Sequence, residues 1–256
     1  MNELMVSCFK FDAWPDHEMS LLTRTEDEFD RFCSKHPGKD ELFFAREALR
    51  RNPRLWIVGL ARDPRDVVVS RHGKIKDRYW TDLKRVRTYI NSFLKLMNHK
   101  RCVMVRYEDL VRDPDSVQRE IMRSIPLLEK LSNFSDFETV SKPSKEAELA
   151  MRGKRPISAA SIGRWRGELE HLKGQIERHG PLDEALLKLG YEIDPDWPEI
   201  LETVAASQSL GFLEEKAATI DPVYALRLSL RRYRMILAFL LGRPRRYQGQ
   251  LRYPED

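Results

Sequence analysis

Residues 55–70 read Leu55-Trp-Ile-Val-Gly-Leu60, Ala61-Arg-Asp-Pro-Arg-Asp66, Val67-Val-Val-Ser70. The first six form an uninterrupted apolar run of strand length, which predicts a strand buried on both faces. The run feeds straight into a charged turn fixed by Pro64. Downstream, Leu83, Val86, Ile90, Phe93, Leu94 and Met97 recur at spacings of three and four, which predicts an amphipathic helix over 81–99. Arg101-Cys-Val-Met-Val-Arg106 is a second short strand, followed at once by Tyr107-Glu-Asp-Leu110. Asp113-Pro114 then opens a helix carrying Val117, Ile121 and Ile125. Strand, helix and strand in that order call for a crossover connection and a parallel sheet. Ligands of such sheets collect beyond the carboxyl ends of the strands. Both charged clusters, 62–71 and 106–109, fall there.

The flanking regions are read more coarsely. Residues 5–11 suit a short strand. Thr25 followed by Glu-Asp-Glu reads as an N-cap opening a helix over 26–35, broken by Pro37-Gly38. Leu42, Ala45 and Leu49 mark a helix over 42–51, stopped by Asn52-Pro53. Residues 135–162 read as a long loop with one short helix. Residues 168–189 read as helical, broken at His179-Gly-Pro181, with Gly190 as a C-cap glycine. Two helices over 197–218 and 222–241 and a basic, proline-containing tail complete the chain. The fold class is α/β, a three-layer parallel sheet with a helical C-terminal extension. The organisation is an N-terminal segment (1–54), a core (55–194) and a basic extension (195–256).

Composition narrows the function classes. The 256 residues carry 45 Lys+Arg against 40 Asp+Glu, a net charge of +5, with 41% hydrophobic residues. That is neither a disordered nor a membrane-embedded chain. The uncharged apolar run at 235–242 is far shorter than the roughly 20 residues of a bilayer span. No signal peptide is visible in the first ten residues, so the expected location is cytoplasmic. Three scattered cysteines without Cys-x-x-Cys exclude a disulfide framework, and the six histidines show no metal-ligand spacing.

Three constellations carry chemistry. In the first, Arg62, Pro64 and Ser70 suit a phosphate clamp, with guanidinium and hydroxyl donors beside a starting helix. A turn with an Arg–Asp surface pair is the plainer alternative. In the second, Tyr107 at a strand end can hydrogen-bond a ligand while Glu108 and Asp109 pin neighbouring arginines, or the carboxylates only cap a helix. In the third, Ser158-Ala-Ala-Ser-Ile-Gly-Arg-Trp-Arg166 reads as a flap over an anion or purine, offering Gly163, Arg164 and Trp165. Its alternative is a helix start with Trp165 as a core anchor and solvated arginines.

Taken in order, these residues resemble the sulfotransferases that use 3′-phosphoadenosine 5′-phosphosulfate (PAPS). Arg62, Pro64 and Ser70 fit the family's Arg-x-Pro…Ser element. Tyr107–Leu110 with Asp113-Pro114 fit its Tyr-Glu-Asp-Leu…Asp-Pro landmark. Gly163, Trp165, Arg166 and Leu169 fit its Gly-x-Trp-Arg loop, in a form associated with bacterial, glycan-type members. Leu189-Gly-Tyr-Glu192 resembles its closing segment. The resemblance implies a P-loop-NTPase-like α/β fold and metal-free transfer of a sulfuryl group from PAPS to a hydroxyl of a saccharide or glycolipid. The product would be adenosine 3′,5′-bisphosphate. Arg62, Ser70, Tyr107, Gly163, Arg164 and Trp165 would bind the nucleotide. The chain departs from the family in showing no Gly-rich segment for the 5′-phosphosulfate, the first glycine being Gly38. Arg152-Gly-Lys-Arg155 is a substitute source of cations. Three accounts are open: a truncated chain, a divergent cradle built elsewhere, or a domain that kept the 3′-phosphate half and lost catalysis. The alternative function is a non-catalytic 3′-phosphonucleotide-binding or scaffolding homologue.

No residue is assigned as the acceptor base: His17, His36 and Glu47 are candidates, and each also reads as a plain surface residue. His72 is placed to touch the nucleotide. His99, His171 and His179 read as helix-surface residues. Over 222–253, Leu226, Leu230, Tyr233, Leu237 and Leu241 share one face, with arginines around them. The stretch reads either as a helix packed on the domain or as an interfacial helix or dimer seam. The interfacial reading would place the protein at the inner face of a membrane. Arginines without interleaved exposed aromatics argue against a nucleic-acid partner.

Overall fold

A computed structural model describes residues 1–36, 39–72, 75, 78–151, 153–154, 156–191 and 196–254, with backbone alone at 39–41, 43 and 150. Pro37-Gly38, Arg152, Arg155, Glu192 and the boundary at 194/195 lie outside the described residues. The core crossover is as the periodicity predicts. Strand β3 (Ile57–Ala61) pairs in parallel with β4 (Cys102–Arg106), Ile57 opposite Cys102 and Ala61 opposite Arg106. Between them lie the short α3 (Pro64–Val68) and the long α4 (Leu83–Met97). Asp82 caps α4 by accepting from the Arg85 N–H at 2.8 Å.

Helices cover both faces of the pair. On one, Val86, Ile90 and Phe93 of α4 pack with Ala61, α9 (Leu169–His179) and α10 (Asp183–Lys188), while Leu96 meets Ala45 and Leu49 of α2 (Lys39–Arg51). On the other, Val103 and Val105 pack against α1 (Asn2–Cys8) and α6 (Pro114–Ser124), with Phe134 and Phe137 beneath them. α5 (Tyr107–Arg112) follows β4 directly, and α7 (Phe137–Val140) and α8 (Lys145–Met151) occupy the stretch expected to be loop. Among the described residues the sheet at the crossover is this two-stranded pair, not the broader parallel sheet expected. β3 is accordingly not buried on both faces: Ile57, Val58 and Gly59 are half-buried and Leu60 is 36% exposed.

Three local expectations are corrected. Residues 5–11 are not a strand, because α1 runs over Asn2–Cys8 and turns Leu4, Met5 and Cys8 into the core. No helix forms over 26–35. Instead Phe32 bridges Ala13, and the Arg31 N–H donates to the Asp12 carboxylate at 2.9 Å, so tertiary partners claim the backbone. The helix expected over 197–218 is split into a 3-10 turn, Trp197–Leu201, and α11 (Phe212–Ala218). The extended stretch between them straps α9: the Ser207 N–H donates to the Glu170 carbonyl, and Arg178 donates to the carbonyls of Ser207 and Ser209. Gly174 lets the strap approach. A Cβ there would stand 2.0 Å from the Ser207 carbonyl oxygen, a backbone atom with no rotamer to yield. Alanine for a helical glycine ordinarily gains about 1 kcal/mol. Here Gly174→Ala is expected to lower the thermal midpoint by roughly 5 °C. A rise in that midpoint would show that the strap is not held in solution.

The chain ends meet. α12 (Pro222–Leu240) is followed by β5 (Arg245–Arg246), parallel to β2 (Thr23–Arg24), and by β6 (Leu251–Arg252), antiparallel to β1 (Trp14–Pro15). Arg252 is buried against the Trp14 ring and ion-pairs with Glu3 at 3.1 Å. The basic tail is thus a clasp on the N-terminal segment.

Candidate functional site

The site is built where β3 and β4 end side by side. After Ala61 the chain turns at Asp63, whose carboxylate accepts from the Arg65 N–H at 2.9 Å and caps α3. The same carboxylate takes Arg65 Nε at 3.0 Å and Nη2 at 2.7 Å. Arg65 is buried between the rings of Trp165 and Trp197. At the end of β4, Glu108 accepts from the Asp63 N–H at 3.0 Å and from the Tyr191 hydroxyl at 2.6 Å. Burial and the Glu108 carboxylate both push the Tyr191 phenol up, so it stays a donor. The two strand ends are therefore held together by a buried carboxylate.

Arg62 leaves β3 beside this staple. Its guanidinium lies 4.7 Å over the Tyr107 ring and donates through Nη2 to the Ser161 carbonyl at 2.6 Å. The Tyr107 hydroxyl and the Ser161 hydroxyl are hydrogen-bonded. Arg62 Nε is buried and has no hydrogen-bond partner. An orphaned charged donor at a strand's carboxyl end is a binding capacity left open for an anion. Ser70, two residues beyond α3, donates its hydroxyl to the Asp66 carbonyl at 2.7 Å. It must turn from that carbonyl to reach a ligand.

Asp66 is the residue that sequence reasoning missed. It is 1% exposed; one carboxylate oxygen accepts from the Gly163 N–H at 2.8 Å, the other from the Trp165 N–H at 3.0 Å. Arg62 lies 3.7 Å away. This one carboxylate latches the 158–166 loop onto α3 and holds Gly163 in a left-handed turn, φ +72°. Its only signal in the sequence was its place four residues after Arg62, where it read as a surface counter-charge.

The structure brings Arg62, Tyr107 and the Gly163 loop together, with Arg62 and Ser70 both touching Asp66. It places Trp165 in the core, 3% exposed, with Arg65 on its ring at 4.4 Å and Arg166 at 4.5 Å. Arg164 is exposed. Beside the loop lies a cleft of about 230 Å³ with Arg65, Arg106 and Arg166 facing Asp63, Glu108 and Asp109. Arg106 covers the Tyr191 ring at 4.7 Å and donates to the Leu189 and Gly190 carbonyls. Both signs of charge, two aromatic rings and little aliphatic surface suit a small polar molecule.

The candidate bases are each engaged elsewhere. Arg50 and Arg51 hydrogen-bond Glu47 and hold its carboxyl down at about 2. His17 ion-pairs with Glu146 at 2.8 Å. His36 bonds the Ser34 hydroxyl at 2.6 Å, and burial pushes it down to about 4. His72 accepts from the Ile75 N–H and packs against Trp80 and Phe212.

His171 is not a surface residue. It is 1% exposed, stacked on Tyr79, with Nδ1 sharing a hydrogen bond with the Ser209 hydroxyl at 3.2 Å. His179 is half-buried and pairs with Glu214 at 3.2 Å. Burial above all, and then Arg178 and Arg71, push His171 from 6.5 down to about 4. Between those values the unfolded chain binds more protons than the folded one. The stability it contributes is therefore complete above pH 6.5 and drains away as pH falls toward 4. His36 acts in the same direction. Urea midpoints measured from pH 7.5 to 4.5 should fall, and His171→Gln should flatten part of that fall. An unchanged pH slope in the variant would refute the assignment.

Residues 11–127, a little under half of the chain, match a family model described as a sulfotransferase family. The matched stretch carries β3, α3, α4, β4 and α5, and with them Arg62, Ser70, Tyr107, Asp66 and Glu108; the Gly163 loop lies beyond it. The search of curated proteins found no match. The match supports a sulfotransferase relationship for that stretch. Sulfuryl transfer from a sulfonate donor to an acceptor is the general chemistry it implies.

Proposed function

We propose that the protein transfers a sulfuryl group from PAPS to a hydroxyl of a saccharide or glycolipid. The observation that carries this reading is Arg62. Within the sulfotransferase match, it presents a buried, unpartnered Nε at the carboxyl end of a parallel strand. A 3′-phosphate drawn to this end of the strand would gain a charge-assisted hydrogen bond from the guanidinium. Tyr107 flanks the same position, and Ser70 would have to turn off the Asp66 carbonyl to contribute. Gly163 and Arg164 would edge the nucleotide, while Trp165 supports the loop from below. PAPS supplies the sulfuryl group, and the chain's residues bind and orient. The neighbouring cleft, with arginine and carboxylate side chains opposed across Tyr191, suits a polyhydroxylated acceptor.

One observation favours a second reading, a homologue that binds a 3′-phosphonucleotide without catalysis. The residues expected to form the first strand are helix α1, which ends at Cys8 packed in the core. Titration calorimetry with adenosine 3′,5′-bisphosphate tests both readings at once, and no heat would refute both. Transfer of labelled sulfuryl from PAPS to a mixed oligosaccharide pool then separates them. Binding with transfer supports the enzyme, and binding without transfer supports the scaffold.

A further inference from the structure

Residues 222–254 contain eight arginines and no acidic residue, and α12 is their main element. Not one residue of this 19-residue helix is buried. It leans on α2 by one flank: Arg232 lies 5.6 Å over the Phe44 ring, and Arg51 donates to the Leu240 carbonyl at 3.0 Å. Leu226, Leu230, Tyr233 and Leu237, with Leu241 just beyond the last turn, fall at spacings of four, three and four on another face. These five are between 51% and 69% exposed. A stripe of large apolar side chains left in water on a helix this long is a surface shaped for a partner.

The neighbours of the stripe identify the partner's chemistry. Arg227, Arg231 and Arg234 are all exposed and lie on one side of it, within about 60° of each other around the helix. Two copies meeting along the stripe would bring these rows of like charge together, with no carboxylate in 222–254 to answer them. A nucleic acid would satisfy the arginines and leave the leucines in water. An anionic bilayer surface satisfies both: leucine and tyrosine enter the acyl boundary while the guanidinium groups stay among the phosphates. The helix does not cross the bilayer, since no helix among the described residues is long and apolar enough to span one.

We propose that α12 lies in the plane of an anionic membrane surface and docks the protein there through the Leu226–Leu241 stripe and its arginine flank. Docking needs no rearrangement of the core, because nothing on this face is buried. The test is sedimentation of the full chain with vesicles of 70:30 phosphatidylcholine:phosphatidylserine and of phosphatidylcholine alone. Binding is expected only to the first, and it should weaken as salt is raised from 0.1 to 0.5 M. The triple variant Arg227→Gln, Arg231→Gln, Arg234→Gln should bind about 100-fold more weakly. Leu230→Ser with Leu237→Ser should lose about 10-fold or more. Both variants should keep the parent's thermal midpoint, since none of these side chains is in the core. Equal binding to neutral vesicles, no binding to anionic ones, or triple-variant binding equal to the parent's would overturn the proposal. A dimer that the leucine variant dissociates, seen by sedimentation equilibrium, would assign the stripe to a second copy instead.

Discussion

Replacing Asp66 by alanine is expected to lower the unfolding free energy by roughly 2–4 kcal/mol, because a buried and a half-buried N–H lose their acceptor at once. The Gly163 and Trp165 amides both donate to this carboxylate, and the Trp165 amide is buried beneath a ring packed against Arg65 and Trp197. Asp66→Asn should do nearly as badly. Its amide keeps one acceptor oxygen and turns an –NH₂ donor toward the second N–H. Urea unfolding measures both, and a loss under about 1 kcal/mol in the alanine variant would mean that the loop re-pairs elsewhere. The same variant should lose affinity for adenosine 3′,5′-bisphosphate, since the Ser161 carbonyl that orients Arg62 belongs to the loop that Asp66 latches.

The second large effect is on binding. Arg62→Ala should weaken adenosine 3′,5′-bisphosphate by about 10- to 150-fold, the loss of a charge-assisted contact worth roughly 1.5–3 kcal/mol. Affinity for adenosine 5′-phosphate, which lacks the 3′ group, should not change. Ser70→Ala should cost about 1 kcal/mol or less, because the hydroxyl already has the Asp66 carbonyl as a partner. Calorimetry on both nucleotides decides the matter. Equal weakening toward the two would show that Arg62 shapes the turn and not a 3′-phosphate site.

Much of this arrangement is legible in the sequence for a physical reason. The helix of 83–97 is set by burial, and burial leaves a periodicity, while the short apolar runs at 55–60 and 101–106 mark the strands beside it although β3 is only half-buried. Arg62 and Tyr107 could be placed because each directly follows a strand. The same logic fails where a pattern is short. Leu4, Met5 and Cys8 satisfy a helical spacing as well as a strand, and only the apolar surface of α6 and Phe134 selects the helix. Thr25-Glu-Asp-Glu is a sound helix start overruled by Asp12 and Ala13, partners that lie well back along the chain. The acidic half of the site stayed hidden for a related reason. Asp66 and Glu108 stand among arginines, where a carboxylate reads as a counter-ion, yet both bind backbone N–H groups brought from elsewhere in the chain.

The pairing of the two chain ends has a kinetic consequence. β3 and β4 can find each other once the segment between them has been made, whereas β1–β6 closes a loop roughly five times longer, at an added entropy of about 1.5 kcal/mol. The clasp should therefore form late, after the crossover has given it a surface. On a ribosome the asymmetry is sharper. Trp14 is synthesised more than 200 residues before Arg252, the arginine that lies on its ring. Throughout that interval Trp14 lacks this cover, and β1 and β2 lack their strand partners. This is the interval in which a growing chain most needs a chaperone.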